Sequence, residues 1–243
     1  MLSLLLKEIK SFLSSLIGYI AMAVFLVLTG LFLWVFPGDF NVLDLGFAEL
    51  EPFFTLAPWV FMFLIPAITM RTFSEEMRTG TIELLYTRPL SDMQIILAKT
   101  LAGVFLVILA LLPTLVYVYS LYVLGNPRGN LDMGGVWGSY LGLLFLASAF
   151  VSIGVFASSI TQNQVVAFII AVFLCFFVFI GFESISSFAV MGPLDSVVQQ
   201  LGILEHYRSM SRGVIDSRDV VYFAALFIVF LLFTKTVLQS RKW

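Results

Sequence analysis

The chain has 243 residues, of which 60% are hydrophobic and only 12% charged, with 26 phenylalanines and a net charge of −2. An average soluble domain is about 25% charged, so a soluble fold of this length is excluded and lipid is the natural solvent for much of the surface. The single cysteine, Cys175, lies in an apolar run, which excludes an intramolecular disulfide and reads as a small buried hydrophobe.

The first 16 residues set Leu2, Leu5, Leu6, Ile9, Leu13 and Leu16 at three- and four-residue spacing, with Lys7, Glu8 and Lys10 off the stripe. The pattern predicts an amphipathic helix lying on the inner leaflet. The apolar run behind it is about 20 residues, too long for a secretory signal and followed by no small-residue cleavage site, so it is expected to stay as an anchor. Crossing a bilayer takes about 20 apolar residues. Six segments qualify: 17–36, 52–70, 101–123, 136–157, 164–182 and 220–238. A β-barrel would show short alternating strands instead. The expected fold class is therefore all-α, a polytopic membrane protein with one transmembrane domain over 1–243.

With the N-terminus in the cytoplasm, Lys7, Lys10, Arg71, Arg78, Arg88, Lys99, Lys235, Arg241 and Lys242 lie inside, and Arg128, Arg208, Arg212 and Arg218 outside. That asymmetry puts both termini in the cytoplasm. Segment 184–204 would bury Asp195, Gln199 and Gln200 if it crossed, at about 3 kcal/mol for the aspartate alone. It is expected to form a re-entrant or interfacial pair of short helices on the outer side, broken at Gly192-Pro193. Pro66 and Pro113 are expected to kink spans two and three.

Between spans two and three, residues 71–99 form a charged insert. A plain connector between antiparallel helices needs only about 2–8 residues. Thr72 followed by Glu75, and Ser91 followed by Gln94, fit capping boxes and mark two helix starts. Gly80 permits a turn, and Pro89 stops the piece before it. The short helix over 81–87 would place Ile82, Leu85 and Tyr86 on one side and Glu83 on another. The insert reads as a docking element for a protein partner.

The stretch EEMRTGTIELLYTRPLS followed by Lys99 resembles the cytoplasmic coupling region of type-2 ABC transporter permeases, through Glu76, Gly80, Thr81, Glu83, Leu84, Pro89 and Lys99 in order and spacing. The six-span layout, the interfacial N-terminal helix and the outer segment after span five resemble that family too. Within it, the sequence is most similar to the gliding-motility-associated permease subunit GldF of Bacteroidetes. The resemblance implies an inner-membrane permease whose insert sits in a cleft of a separate cytoplasmic ATPase and moves with it. Glu76, Arg78 and Glu83 would make polar contacts there, Gly80 would set the turn, and Ile82, Leu85 and Tyr86 would anchor the helix, with Thr81, Arg88 and Pro89 completing the site. The implied partners are a GldA-like ATPase, a second permease copy or a GldG-like membrane subunit, and membrane lipid, with no nucleic acid.

No GxxxxGK[ST] loop is present, so ATP must be bound by the partner. No HExxH, GxSxG or Cys/His cluster supports an intramembrane enzyme or a metal site. His206 reads as part of a solvated outer helix, and Glu183 as a hydrated carboxylate at the outer end of span five. Polar groups in the spans are mainly hydroxyls, at Thr29, Thr69, Thr114, Ser120, Ser139, Ser148 and Ser152, and identify no substrate site. Small residues in span four suit close helix packing. The alternative reading is a non-transporting anchor or scaffold for a motility machine, marked by ATP turnover with no transported species.

Overall fold

The N-terminal stripe folds as helix α1 (Leu2–Leu13), and a Ser14-Ser15 corner separates it from α2 (Leu16–Trp34). Ser15 caps α2 by accepting a hydrogen bond from the Gly18 amide, which supplies a partner to one of the free amides at the helix start. In the computed structural model, residues 1–87, 89–187 and 195–240 are described. Arg88, the Gly192-Pro193 break, Arg241 and Lys242 lie outside the described residues, as does the Tyr86 side chain.

The helices continue as α3 (Val42–Leu45), α4 (Glu51–Thr69), α5 (Ser74–Thr79), α6 (Ile82–Tyr86), α7 (Asp92–Leu111), α8 (Leu115–Leu124), α9 (Met133–Ile160), α10 (Gln164–Phe176), α11 (Phe182–Ser187), α12 (Asp195–Gln200), α13 (Ile203–Met210) and α14 (Ser217–Ser240). Among the described residues, six helical stretches are long and apolar enough to cross a membrane: Leu16–Trp34, Glu51–Thr79, Asp92–Leu124, Met133–Ile160, Gln164–Ser187 and Ser217–Ser240. No strand occurs among the described residues, so the all-α, six-span reading holds.

Helix α9 is the core, packed against α4, α7, α10 and α14. Its small residues allow that approach. A Cβ added at Gly154 would sit 2.0 Å from Thr69 Oγ1 on α4. Helices α2, α10 and α14 instead turn large apolar side chains outward, among them Val27, Phe173 and Val221.

Prolines shape two of the spans. Helix α4 runs through Pro58 and Pro66 without interruption. Pro58 has no amide to offer the carbonyl four residues back, at Phe54, and the buried Tyr207 hydroxyl of α13 donates to that oxygen at 2.7 Å. At Pro113 the helix narrows to a 3₁₀ turn, Leu112–Thr114, which divides α7 from α8. Past α10, a π-helical turn over Phe177–Gly181 leads into α11.

The expected cap at Thr72 is not formed. Helix α5 begins at Ser74 behind Phe73, with no side-chain cap. Met70–Phe73 is a tight continuation of α4: the Thr72 amide donates to Thr69 O at 3.0 Å, and the Ser74 hydroxyl donates to Met70 O. The amides of α5 already find carbonyls in the preceding turn, Glu75 N donating to Arg71 O and Met77 N to Phe73 O, so no side-chain cap is needed. The second box is real, with Ser91 Oγ accepting from Gln94 N and Gln94 Oε1 accepting from Ser91 N. It moves the start of span three's helix back to Asp92.

Candidate functional site

One buried cation organises the end of the bundle that carries the insert. Lys99 sits in the second turn of a helix capped by Ser91, and its side chain is only 1% exposed. A lone ammonium in such a place requires partners. Its Nζ lies 2.9 Å from Glu76 Oε1 on α5, 3.2 Å from Glu8 Oε1 on α1, and donates to Thr72 O at 2.8 Å. It also stands 5.2 Å from the centre of the Phe73 ring, within cation–π range. Lys7 adds a second cation, 3.2 Å from Glu8 and 3.4 Å from Glu76. Burial works against the Lys7 charge, but the two glutamates outweigh it and hold its pKa above the ordinary lysine value. The network ties α1, α5 and α7 together. It also turns Glu8 toward the protein, where the apolar stripe alone had placed it off the packed face.

Beyond this base the insert projects as a tip. Helix α5 ends at Gly80, whose φ of +73° is left-handed and suits glycine. The Thr79 and Thr81 hydroxyls bridge the turn at 2.9 Å. On α6, Ile82 and Leu85 are half-buried, whereas Glu83 and Leu84 are exposed, Leu84 to 66%. Arg78, Gly80, Thr81 and Pro89 are exposed as well. Of the residues expected at the site, Glu76 faces inward to Lys99 and the others with described side chains gather at the tip. A cleft of about 490 Å³ separates α1 from α6, lined by Ser3, Leu4, Lys7, Glu76, Thr81, Leu84, Leu85 and Leu90.

The opposite end is packed, and here two expectations change. His206 is not simply solvated. It stacks on Tyr222 at 3.9 Å, its Nδ1 lies 2.7 Å from Asp219 Oδ1, and its Nε2 lies 2.9 Å from Gln200 O. Glu183 is paired, accepting from Arg208 Nη2 at 2.6 Å. The reason in both cases is α13, which buries Ile203, Tyr207 and Met210 and so brings its polar side against α11, α12 and α14. Ser209 donates to Asp219 Oδ2 at 2.6 Å. A serine, a histidine and an aspartate thus meet, but the hydroxyl is held by the carboxylate and the second imidazole nitrogen is taken by Gln200. A nucleophile and base need the hydroxyl on the imidazole, so this cluster is a latch.

Hydroxyls within the spans serve the backbone. Thr29, Thr69, Ser120, Ser139 and Ser148 each donate to the carbonyl four residues back, and Thr114 and Ser152 to the one three back.

A family model described as ABC-2 family transporter protein matches residues 39–203, well over half of the chain. The chain belongs to the ABC-2 family. The match covers the insert and the helices from α4 through α12, so Lys99, Glu76 and the tip are parts of an ABC-2 membrane domain, whereas Lys7 and Glu8 of α1 lie before the matched residues. ABC-2 permeases carry no ATP-binding motif and generally pair with a separate ABC ATPase. Among curated proteins no match was found. Two features of this ABC-2 chain escaped the sequence reading: the partners of Lys99 and the Tyr207–Phe54 bond. Each had a signal, the first a lysine in an apolar helix and the second a proline inside a span.

Proposed function

We propose that this ABC-2 permease couples ATP hydrolysis by a separate cytoplasmic ABC ATPase to movement of its own helices, with the tip from Arg78 through α6 as the docking element. The observation that carries this reading is the insert's division into a locked base and a free tip. Exposed Arg78, Thr81, Glu83 and Leu84 offer charge, hydroxyl and apolar contact on one short helix pair. Displacement of the tip would reach α1 and α7 through Lys99, which the Glu76 carboxylate grips directly. Arg88 and Tyr86 complete the proposed site. The Lys and Arg distribution supports both termini in the cytoplasm, and the family resemblance supports a bacterial inner membrane as the location. The outward apolar faces of α2, α10 and α14 leave room for a second permease copy or a related membrane subunit.

Resemblance over the whole sequence to GldF supports a finer assignment, to a gliding-motility or secretion system with a GldA-like ATPase and a GldG-like membrane partner. One experiment addresses both levels. Wild type, Glu83→Lys and Gly80→Pro are crosslinked in cells, purified in mild detergent and their captured proteins identified by mass spectrometry. The expected result is capture of an ABC ATPase by wild type alone, at equal membrane expression. Proline cannot adopt the positive φ of position 80. Equal capture by all three would remove the tip as the docking element, and capture of no ATPase would favour a scaffold. An ATPase and membrane partner unrelated to GldA and GldG would remove the finer assignment.

A further inference from the structure

Two cavities meet at the first turn of α2. The first is polar, about 220 Å³, far above the ~10–15 Å³ that one water needs. It lies under α1 and is lined by three cations, Lys7, Arg71 and Lys99, and three carboxylates, Glu8, Glu75 and Glu76. The second is an apolar groove of about 500 Å³ between α2 and α4, closed on one side by Phe168 of α10. Ile17 lines both. On the facing wall, Ala67 lines the groove and Arg71, one helical turn on, lines the polar cavity.

Two residues that line the polar cavity carry polar atoms without a partner. Arg71 Nε and Glu76 Oε2 are buried without a hydrogen-bond partner, and Arg71 forms no ion pair among the described residues. A buried donor and a buried acceptor left open in one cavity are costly. An occupant that brings an acceptor to the Arg71 guanidinium and a donor to the Glu76 carboxylate would relieve both. With three charges of each sign around it, the occupant should itself be neutral overall.

The groove fixes the rest of the molecule. From Ile17 to Leu28 it follows α2 for about 17 Å, at ~1.5 Å per residue. Half of a bilayer's ~30 Å hydrocarbon core is ~15 Å. The groove is therefore as long as an acyl chain of one leaflet, and it starts where the polar cavity ends.

We propose that the two cavities form one binding site for a glycerophospholipid with an ethanolamine headgroup. Its phosphate accepts from Arg71, its ammonium donates to Glu76, and an acyl chain lies between α2 and α4. A choline headgroup has no N–H to give Glu76, and a glycerol headgroup leaves a net negative charge in a balanced cavity. The site needs neither the ATPase nor a cargo and does not rest on the coupling reading above.

The test uses the full chain, delipidated in detergent and supplied with phosphatidylethanolamine, phosphatidylcholine or phosphatidylglycerol of identical acyl chains. Lipid retained per protein is counted by native mass spectrometry. Wild type is expected to retain phosphatidylethanolamine at least several-fold better than the other two. Arg71→Gln should abolish that preference, and so should Ala67→Trp, which fills the groove and leaves every charge in place. Each variant is judged by the difference between lipids within it, so a general loss of stability does not mimic the result. Equal retention of the three lipids, a preference for phosphatidylglycerol, no retention, or a preference that survives both substitutions would each overturn the proposal.

Discussion

Tyr207→Phe isolates one hydrogen bond that a proline created. The phenol is 3% exposed, and its hydroxyl lies 2.7 Å from the Phe54 carbonyl that Pro58 leaves without a helical partner. Burial pushes the Tyr207 pKa up, so the hydroxyl keeps its proton and stays a donor. Removing it leaves a buried carbonyl open, at about 1–3 kcal/mol. In a Pro58→Ala background the amide at position 58 serves that carbonyl, and the same Tyr207→Phe change should cost about 0.5 kcal/mol or less. The difference is the coupling energy of a double-mutant cycle. Cys175 supplies the assay, because it is the only thiol and is fully buried. A thiol-reactive fluorophore reports unfolding in detergent as Cys175 becomes accessible. An equal cost of Tyr207→Phe with Pro58 and with Ala at position 58 would refute the assignment of the hydroxyl to the proline's orphaned carbonyl.

Lys99→Met should destabilise the chain by about 3 kcal/mol, the low end for a broken buried pair because Glu76 and Glu8 remain 13% and 17% exposed. The same thiol assay checks it, and adding Glu8→Gln and Glu76→Gln should recover most of the loss. Gly154→Ala should cost about 1–3 kcal/mol through overpacking against Thr69, with part returned by Thr69→Ala, measured as the shift in unfolding temperature. Lys7 has a raised pKa, so its contribution to docking α1 is fully present below the ordinary lysine value of 10.5 and is lost as pH rises through the higher folded value. A fluorescent label on α1 should show the difference between wild type and Lys7→Met flat up to about pH 10 and shrinking above it.

The spans were legible because length and hydropathy alone decide them. The insert's turn was legible at Gly80 and its restart at Ser91, since both signals act within four residues. Thr72 and Glu75 carry the same local motif as Ser91 and Gln94 but cap nothing, because the preceding helix already supplies the carbonyls in that turn. The inward face of Glu8 could not be read from its own helix, since its partner Lys99 is 91 residues away. Likewise His206 meets Asp219 only because α13 folds back over α14. At the tip, residue types and spacing put Arg78 and Glu83 together. That Glu76 would face the other way depended on the same distant lysine.

The π-helical turn at Phe177–Gly181 changes the phase of everything beyond it. Each residue of an α-helix turns the chain by ~100°, and a wide turn takes up about one residue more than the regular ladder. A cysteine-accessibility scan from Gln164 should therefore follow one periodicity as far as Phe176, then slip by about one position. A single helical wheel drawn through both halves would place Phe182 and Glu183 on the wrong side of the span, and any crosslinking pair chosen from it would be aimed at the wrong neighbour.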